Sequence, residues 1–154
     1  MFRIYLDSCV YNRPFDDYQM DEKLFVEAMA FYVVLHWVEN NKIQLISSDA
    51  LLYECEQIVD IERKRRVRTY LKRAIHYVEL SEHIIERARI INSYGFKSID
   101  ALHIAMAESG LAEYFVTCDN SIIKRGKALQ DKLKVKVHGI LEFLTEVIYA
   151  KNIE

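Results

Sequence analysis

The chain has 154 residues, 51% of them hydrophobic, with four glycines and one proline, so it is long enough to bury one sizeable core and holds little linker or disordered sequence. A net charge of −2 does not favour a polyanionic partner, and three cysteines without metal-type spacing argue against a disulfide framework and for a reducing compartment. No apolar stretch is long and clean enough to span a bilayer, and the amino terminus enters a strand with no room for a signal peptide, which predicts a cytoplasmic protein without a membrane partner.

Residues 2–6 are a short apolar run, with Ile4 and Leu6 on one face of an extended strand and Arg3 and Tyr5 on the other. The run ends on Asp7 and is closed by a loop containing Pro14, the pattern of a buried strand. Asp7 then stands at the strand's carboxyl end, where open α/β sheets bind ligands, although a turn-capping aspartate fits the same position. Residues 21–41 read as a long helix opened by Asp21 and Glu22 and ended by Asn40 and Asn41. Its apolar residues exceed one stripe. Leu24, Phe25, Ala28, Phe31, Tyr32, Leu35 and Val38 make one face, while Val26, Met29, Val33, Val34 and Trp37 spread round the rest. Such a helix is buried on two sides, one by the sheet and, we expect, the other by a second copy of the chain.

Residues 43–47 form a second strand, and Ser48 or Asp49 caps a helix carrying Leu51, Leu52, Glu54 and Cys55. Between residues 61 and 74, seven cations (Arg63, Lys64, Arg65, Arg66, Arg68, Lys72 and Arg73) face Glu62 alone, a local balance of +6 that leaves −8 for the remainder. This stretch is helical, with Val67, Tyr70, Leu71 and Ala74 on one stripe. It is a candidate guide for a phosphate backbone, a docking surface for an acidic partner, or a solvated face. A short edge strand is expected over 77–80 and a helix over 82–94, ended by Gly95 as a left-handed cap. A helix over 98–110 follows, with Ser98 as its N-cap, Asp100 in its first turn and Gly110 as its stop. Residues 113–118 are a clear strand ending on Asp119, then come a helix over 121–129, a last strand over 134–138 and a closing helix over 140–149. Strands alternating with helices or helix pairs predict an α/β fold, an α/β/α sandwich around a mostly parallel sheet, with 1–154 as one domain.

Element lengths bring acids together. The helix over 98–110 and the strand over 113–118 each run roughly 20 Å, at ~1.5 Å and ~3.3 Å per residue, so Asp100 and Asp119 return to one edge of the sheet. A parallel sheet puts Asp7 on that edge too. Glu54 lies about five residues into its helix, ~8 Å down the axis, and only its longer side chain leans back far enough. Taken singly, Asp100 complements a helix dipole, Glu54 is a solvated helix residue and Asp119 starts a turn. Taken together, crowded carboxylates are tolerated when they take up protons or a cation neutralises them, and oxygen-only ligands suit Mg²⁺ or Mn²⁺. His103 lies one turn from Asp100 on the same face, which leaves a role supporting the acids open, but a packing or surface role is the expectation. Cys9, Cys55 and Cys118 are expected to be small buried hydrophobes.

Four stretches, Tyr5-Leu-Asp7-Ser-Cys-Val, Ser47-Ser-Asp-Ala-Leu-Leu-Tyr-Glu54, Ser98-Ile-Asp100-Ala-Leu-His-Ile-Ala and Phe115-Val-Thr-Cys-Asp119, resemble the motifs of PIN-domain proteins of the VapC type, the toxin half of type II toxin–antitoxin pairs. The resemblance spans nearly the whole chain. It implies the α/β/α sandwich, a Mg²⁺- or Mn²⁺-dependent endoribonuclease, and a homodimer inhibited by an antitoxin. It places the metal-binding and catalytic acids at Asp7, Glu54, Asp100 and Asp119. Many relatives carry Thr-Asn after the first acid, where Ser8-Cys9 stand here. Many also carry an acid two residues beyond the fourth, where Ser121 stands beside Asn120. The second departure weakens the case for a tightly held second metal. Ser8, Asn120 and Ser121 are candidates to support the site by hydrogen bonds, or are ordinary turn residues.

If the chain is a nuclease, Asp7 and Asp119 are the expected direct metal ligands, Asp100 and Glu54 bind directly or through water, and the basic helix guides the RNA. The main rival is a PIN-like module that binds RNA or a partner but does not turn over, favoured by Ser121 in the acid's place. A phosphoacceptor receiver needs a late lysine at a strand end, which Lys134 and Lys136 are poorly placed to supply. A small phosphohydrolase lacks its Asp-x-Asp motif after the first strand.

Overall fold

In the computed structural model, residues 2–17, 19 and 21–150 are described, so the domain drawn over 1–154 extends past the described residues at both ends. Five strands form one sheet in the order β3-β2-β1-β4-β5: β1 (Phe2–Leu6), β2 (Ile43–Ser48), β3 (His76–Val78), β4 (Tyr114–Thr117) and β5 (Lys136–Gly139). All four pairings are parallel. Between them run α1 (Ser8–Asn12), α2 (Glu22–Glu39), α3 (Asp49–Glu56), α4 (Ile61–Leu71), α5 (Glu82–Ser93), α6 (Ser98–Ser109) and α7 (Asn120–Ala128). A short α8 (Ile140–Glu142) continues into a π-helical segment, Phe143–Tyr149. The expected α/β sandwich is the architecture found, with a sheet parallel throughout.

The topology positions the site. The chain steps from β1 outward to β3, then returns to lay β4 on the other side of β1, with Ile4 opposite Tyr114 and Leu6 opposite Val116. The carboxyl ends of β1 and β4 are therefore neighbours at the point where strand order reverses, the place where open parallel sheets bind ligands. α1 packs against α2, α3 and α4, α5 packs along α6, and α7 lies against β5 and β4, while α3 also meets α6. The core between them is built on Ile4, Leu6, Leu45, Ile46, Phe115 and Val116, all at most 1% exposed.

Most helices begin on the polar side chain that the sequence offers. Asp21, Ser48, Asp60, Ser81 and Asp119 each accept a backbone N–H of the first turn that follows. Ser98 does not. Lys97 takes the extended cap conformation one residue earlier, so Ser98 is already helical and the cap is made without a side chain. The stop at Gly110 also works differently from the expectation. Gly110 has an ordinary φ, and Leu111 takes the left-handed conformation at φ 63. Glycine is needed at 110 for closeness: a Cβ there would meet Val78 Cγ2 at 2.9 Å and Ile46 Cγ2 at 3.0 Å. Gly95, at φ 109, is the left-handed cap expected after α5. The edge strand lies at His76–Val78, not at 77–80, because Asp49 draws the chain off the sheet, accepting the Leu80 N–H (2.6 Å) and the Tyr77 hydroxyl.

α2 buries Ala28, Phe31, Val34, Leu35 and Val38 against the core, and leaves Phe25, Val26, Met29 and Tyr32 among the exposed large hydrophobics. Among the described residues, no helix is long and apolar enough to cross a membrane.

Candidate metal centre

Asp7 follows β1 directly and caps α1. Its Oδ1 accepts the Ser8 N–H (2.8 Å), and its Oδ2 accepts the Thr117 hydroxyl at the end of β4 (2.8 Å). The Thr117 oxygen in turn accepts the Asp119 N–H (3.1 Å), so one hydroxyl ties the two acid-bearing loops. Asp7 is 6% exposed, a depth at which a carboxylate needs hydrogen bonds or a cation. Asp119 caps α7, and its Oδ1 accepts both the backbone N–H (2.8 Å) and the hydroxyl (2.7 Å) of Ser121. Partial burial raises the Asp119 pKa, but the Ser121 bonds, the Ile122 N–H and the Lys97 charge outweigh it and hold the carboxyl below its ordinary value.

Asp100, in the first turn of α6, behaves oppositely. Burial, then the negative charges of Asp7 and Asp119, push it up to about 6, against the smaller pull of His103 and Lys97. The three aspartates thus share one field. Glu54 reaches the same rim from α3, and single ligand atoms of Asp7, Glu54 and His103 lie within 4.8 Å of one another. Asp100 and Asp119 stand outside that grouping; the charges of both Asp7 and Asp119 act on Asp100. Of the candidate supports, Ser121 binds Asp119 through two donors, Ser8 contributes its backbone N–H and not its hydroxyl, and Asn120 heads α7 without a side-chain hydrogen bond among the described residues.

His103 corrects its expectation. It is 1% exposed, yet it does more than pack, because both ring nitrogens are engaged, Nε2 with Glu54 Oε1 and Nδ1 with the Tyr5 hydroxyl (2.6 Å). The Tyr5 hydroxyl also meets Ser48 Oγ (2.6 Å), the cap of α3. Burial pushes the Tyr5 phenol well above its ordinary value, so it remains a hydroxyl. Tyr5, His103 and Thr117 lay outside the expected site. The available signal was Tyr5 itself, since a tyrosine on a central buried strand must find a partner for its hydroxyl. Cys55 and Cys118 are buried as expected, but Cys9 is only half-buried and its sulfur sits in the site, 3.5 Å from Asp7 Oδ2 and 3.4 Å from Thr117 Oγ1.

A PIN-domain family model matches residues 4–128. The chain belongs to the PIN-domain family. Among solved structures, this PIN domain is similar to a chain in the crystal structure of VapBC2 from Rickettsia felis bound to a DNA fragment from their promoter. The two are 14% identical, with a TM-score of 0.54 over 89% of this chain and 98% of that one, a likeness of fold. Against curated proteins the sequence gives no match. PIN domains are in general nucleases that use divalent metals.

The acids of this PIN domain suit such an ion. Among the described residues no lysine or arginine forms an ion pair with Asp7, Asp100 or Asp119, and every donor atom offered is a carboxylate oxygen apart from the ring nitrogen of His103. A second acid-rich group, His138, Glu142 and Glu146, differs in having its own cation, Lys127 Nζ, 2.8 Å from Glu142. The basic stretch, α4 with Lys72 and Arg73 just beyond it, is likewise largely neutralised. Arg63 pairs with Asp16 (3.1 Å), Arg65 with Glu62, Arg68 with Glu56 (2.6 Å) and Arg73 with Glu39 (3.0 Å). Lys64, Arg66 and Lys72 form no ion pair among the described residues, and Arg66 lies over the Phe15 ring at 5.4 Å.

Proposed function

We propose that this PIN domain is a cytoplasmic endoribonuclease of the VapC toxin type, hydrolysing RNA phosphodiester bonds with one Mg²⁺ or Mn²⁺ held by Asp7, Glu54, Asp100 and Asp119. The observation that carries the reading is Asp100. It is raised to about 6 by burial and by Asp7 and Asp119, which form no ion pair among the described residues, and the smaller pull of His103 and Lys97 does not offset them; a divalent cation would neutralise this crowding. Such a cation, when bound, polarises a phosphate oxygen and acidifies a water. The chain's residues do the rest. Thr117 and the Ser8 N–H hold the Asp7 carboxylate in one orientation, Ser121 does so for Asp119, and Asp100, with a cation bound, would stay ionised against the charges of its neighbours. Ser121 is spent on Asp119 in place of a further acid, which supports one firmly held ion rather than two.

The test is cleavage of a mixed-sequence RNA with Mg²⁺, with Mn²⁺ and with a chelator, beside Asp7→Asn. Cleavage that needs the ion and disappears in the variant is expected. Cleavage that survives both the chelator and Asp7→Asn would refute the assignment. Tight RNA binding with no cleavage under any ion would favour the non-catalytic module, the reading that Ser121 supports.

An antitoxin has a matching surface. A cleft of about 710 Å³ is lined by Phe15, Ile58, Val59, Asp60, Arg63 and Arg66 among others, beside Val59 at 93% and Ile61 at 82% exposure, so a partner segment that is apolar and acidic fits there. The exposed side of α2, with Val26 and Met29, is the face for a homodimer, and sedimentation at micromolar concentration tests it.

A further inference from the structure

We infer that Tyr5 and His103 are positioning residues that aim the Glu54 carboxylate at the metal centre. The inference deepens the metal-dependent reading above and rests on it. It begins from a geometric difficulty: Glu54 is a long, partly exposed side chain on α3, and three rotatable bonds must be fixed, at an entropic cost, before its oxygens can serve an ion. The structure contains a device that fixes them.

Directions in the network follow from which groups can donate. The Leu51 N–H is a donor only, and it points to Ser48 Oγ (3.2 Å). The Ser48 hydroxyl hydrogen is then free to meet Tyr5, 2.6 Å away, and the Tyr5 hydrogen to meet His103 Nδ1, also 2.6 Å away. An imidazole nitrogen has one in-plane direction, occupied by either a proton or a lone pair. Nε2 directs it at Glu54 Oε1, so with Nδ1 accepting, Nε2 carries the proton and donates it to the carboxylate. The hydroxyls of Ser48 and Tyr5 and both ring nitrogens of His103 are satisfied, and the Glu54 carboxylate so held lies within 4.8 Å of an Asp7 oxygen. The anchor is also well chosen. Ser48 caps the helix that carries Glu54, so α3 is tied at its start and at its functional side chain through β1 and α6. Partners of metal-binding carboxylates tune affinity even though they do not touch the ion.

The experiment is Mn²⁺ binding to the full chain by titration calorimetry, with far-UV circular dichroism on each variant. Tyr5→Phe removes one hydroxyl, His103→Gln retains an amide donor for Glu54, and His103→Ala removes it. We expect His103→Ala to weaken Mn²⁺ about 10- to 100-fold with the spectrum unchanged, Tyr5→Phe to weaken it about 10-fold or less, and His103→Gln to recover most of the alanine loss. If His103→Ala fails to fold, Tyr5→Phe and His103→Gln decide: weakened binding in Tyr5→Phe with near-native binding in His103→Gln supports the inference, and any other pair of results overturns it. Native Mn²⁺ affinity in Tyr5→Phe and His103→Ala, with binding lost in Asp7→Asn, would overturn the inference and leave the metal centre standing. Native affinity in Asp7→Asn would remove the metal centre and the inference together. A nitrogen hyperfine coupling in the electron paramagnetic resonance of bound Mn²⁺, absent in His103→Gln, would make His103 a ligand and overturn the positioning role.

Discussion

The molecule carries two concentrations of like charge, the aspartates at the carboxyl edge of the sheet and the arginines of α4, and the fold treats them differently. Four of the seven cations assigned to the basic stretch have a carboxylate within 3.1 Å, supplied by Asp16, by α2, by α3 and by α4 itself. Asp7 and Asp119 have hydroxyl and amide donors, Asp100 is set by burial and neighbouring charge, and none of the three forms an ion pair among the described residues. Density of charge along the sequence therefore does not mark the functional surface. The difference is that the acids crowd one another without an ion pair, so that Asp100 is raised by burial and by its neighbours, whereas the basic stretch is largely paired.

The sharpest way to break this contrast is Asp7→Asn. It should lower metal-dependent RNA cleavage by more than about 100-fold, beyond what supporting residues of a metal site cost, with the circular dichroism spectrum unchanged. Native turnover would mean that the acids are not the working surface. Next, Mn²⁺ at about 100 times its dissociation constant should stabilise the native chain by ~2.7 kcal/mol, or about 5–10 °C in Tm by differential scanning, and a chelator should reverse it. Asp7→Asn should lose most of that gain.

The pH dependence sharpens the comparison further. Asp100 is raised in the folded chain to about 6, so between its ordinary value of 3.8 and 6 the folded state binds more protons than the unfolded one. Without metal, stability should fall as pH rises through that window and level off above it, by ~1 kcal/mol after allowing for the solvent that reaches this half-buried group. Asp119, depressed, has the opposite sign, but its stabilisation is lost only as pH falls below the usual carboxylate range. Urea melts from pH 4 to 7.5 should show the Asp100 slope and lose it in Asp100→Asn, whereas Mn²⁺ affinity should rise across pH 6.

The smallest effects belong to α4. Lys64→Ala, Arg66→Ala and Lys72→Ala combined should weaken RNA binding evenly across sequences and flatten its salt dependence by up to ~2 in log–log slope, leaving kcat unchanged. Arg65→Ala, which breaks an exposed pair with Glu62, should change neither cleavage nor Tm measurably. A loss of cleavage there as large as that from Asp7→Asn would reverse the ranking of the two surfaces.

Much of the fold was legible because it depends on short-range signals. Apolar runs closed by aspartates marked β1 and β4, and capping residues marked α2, α3 and α5. The illegible part depends on partners far apart in the chain. Tyr5 meets Ser48 across 43 residues and His103 across 98, and Thr117 meets Asp7 across 110, separations at which no periodicity or motif spacing operates. The same reason explains α4. A +6 window cannot show that Asp16, Glu39 and Glu56 lie outside it and fold back onto it. At residue 98, a good capping side chain was overridden by the backbone of Lys97 one position earlier.

The insertion of β4 beside β1 also bears on when the chain can act. Asp7 is synthesised well before Asp119, and the two acids meet only after β4 has been made and has docked on the far side of β1. If the acids act together as proposed, a partly translated chain lacks the complete site, and competence follows only on the docking of β4.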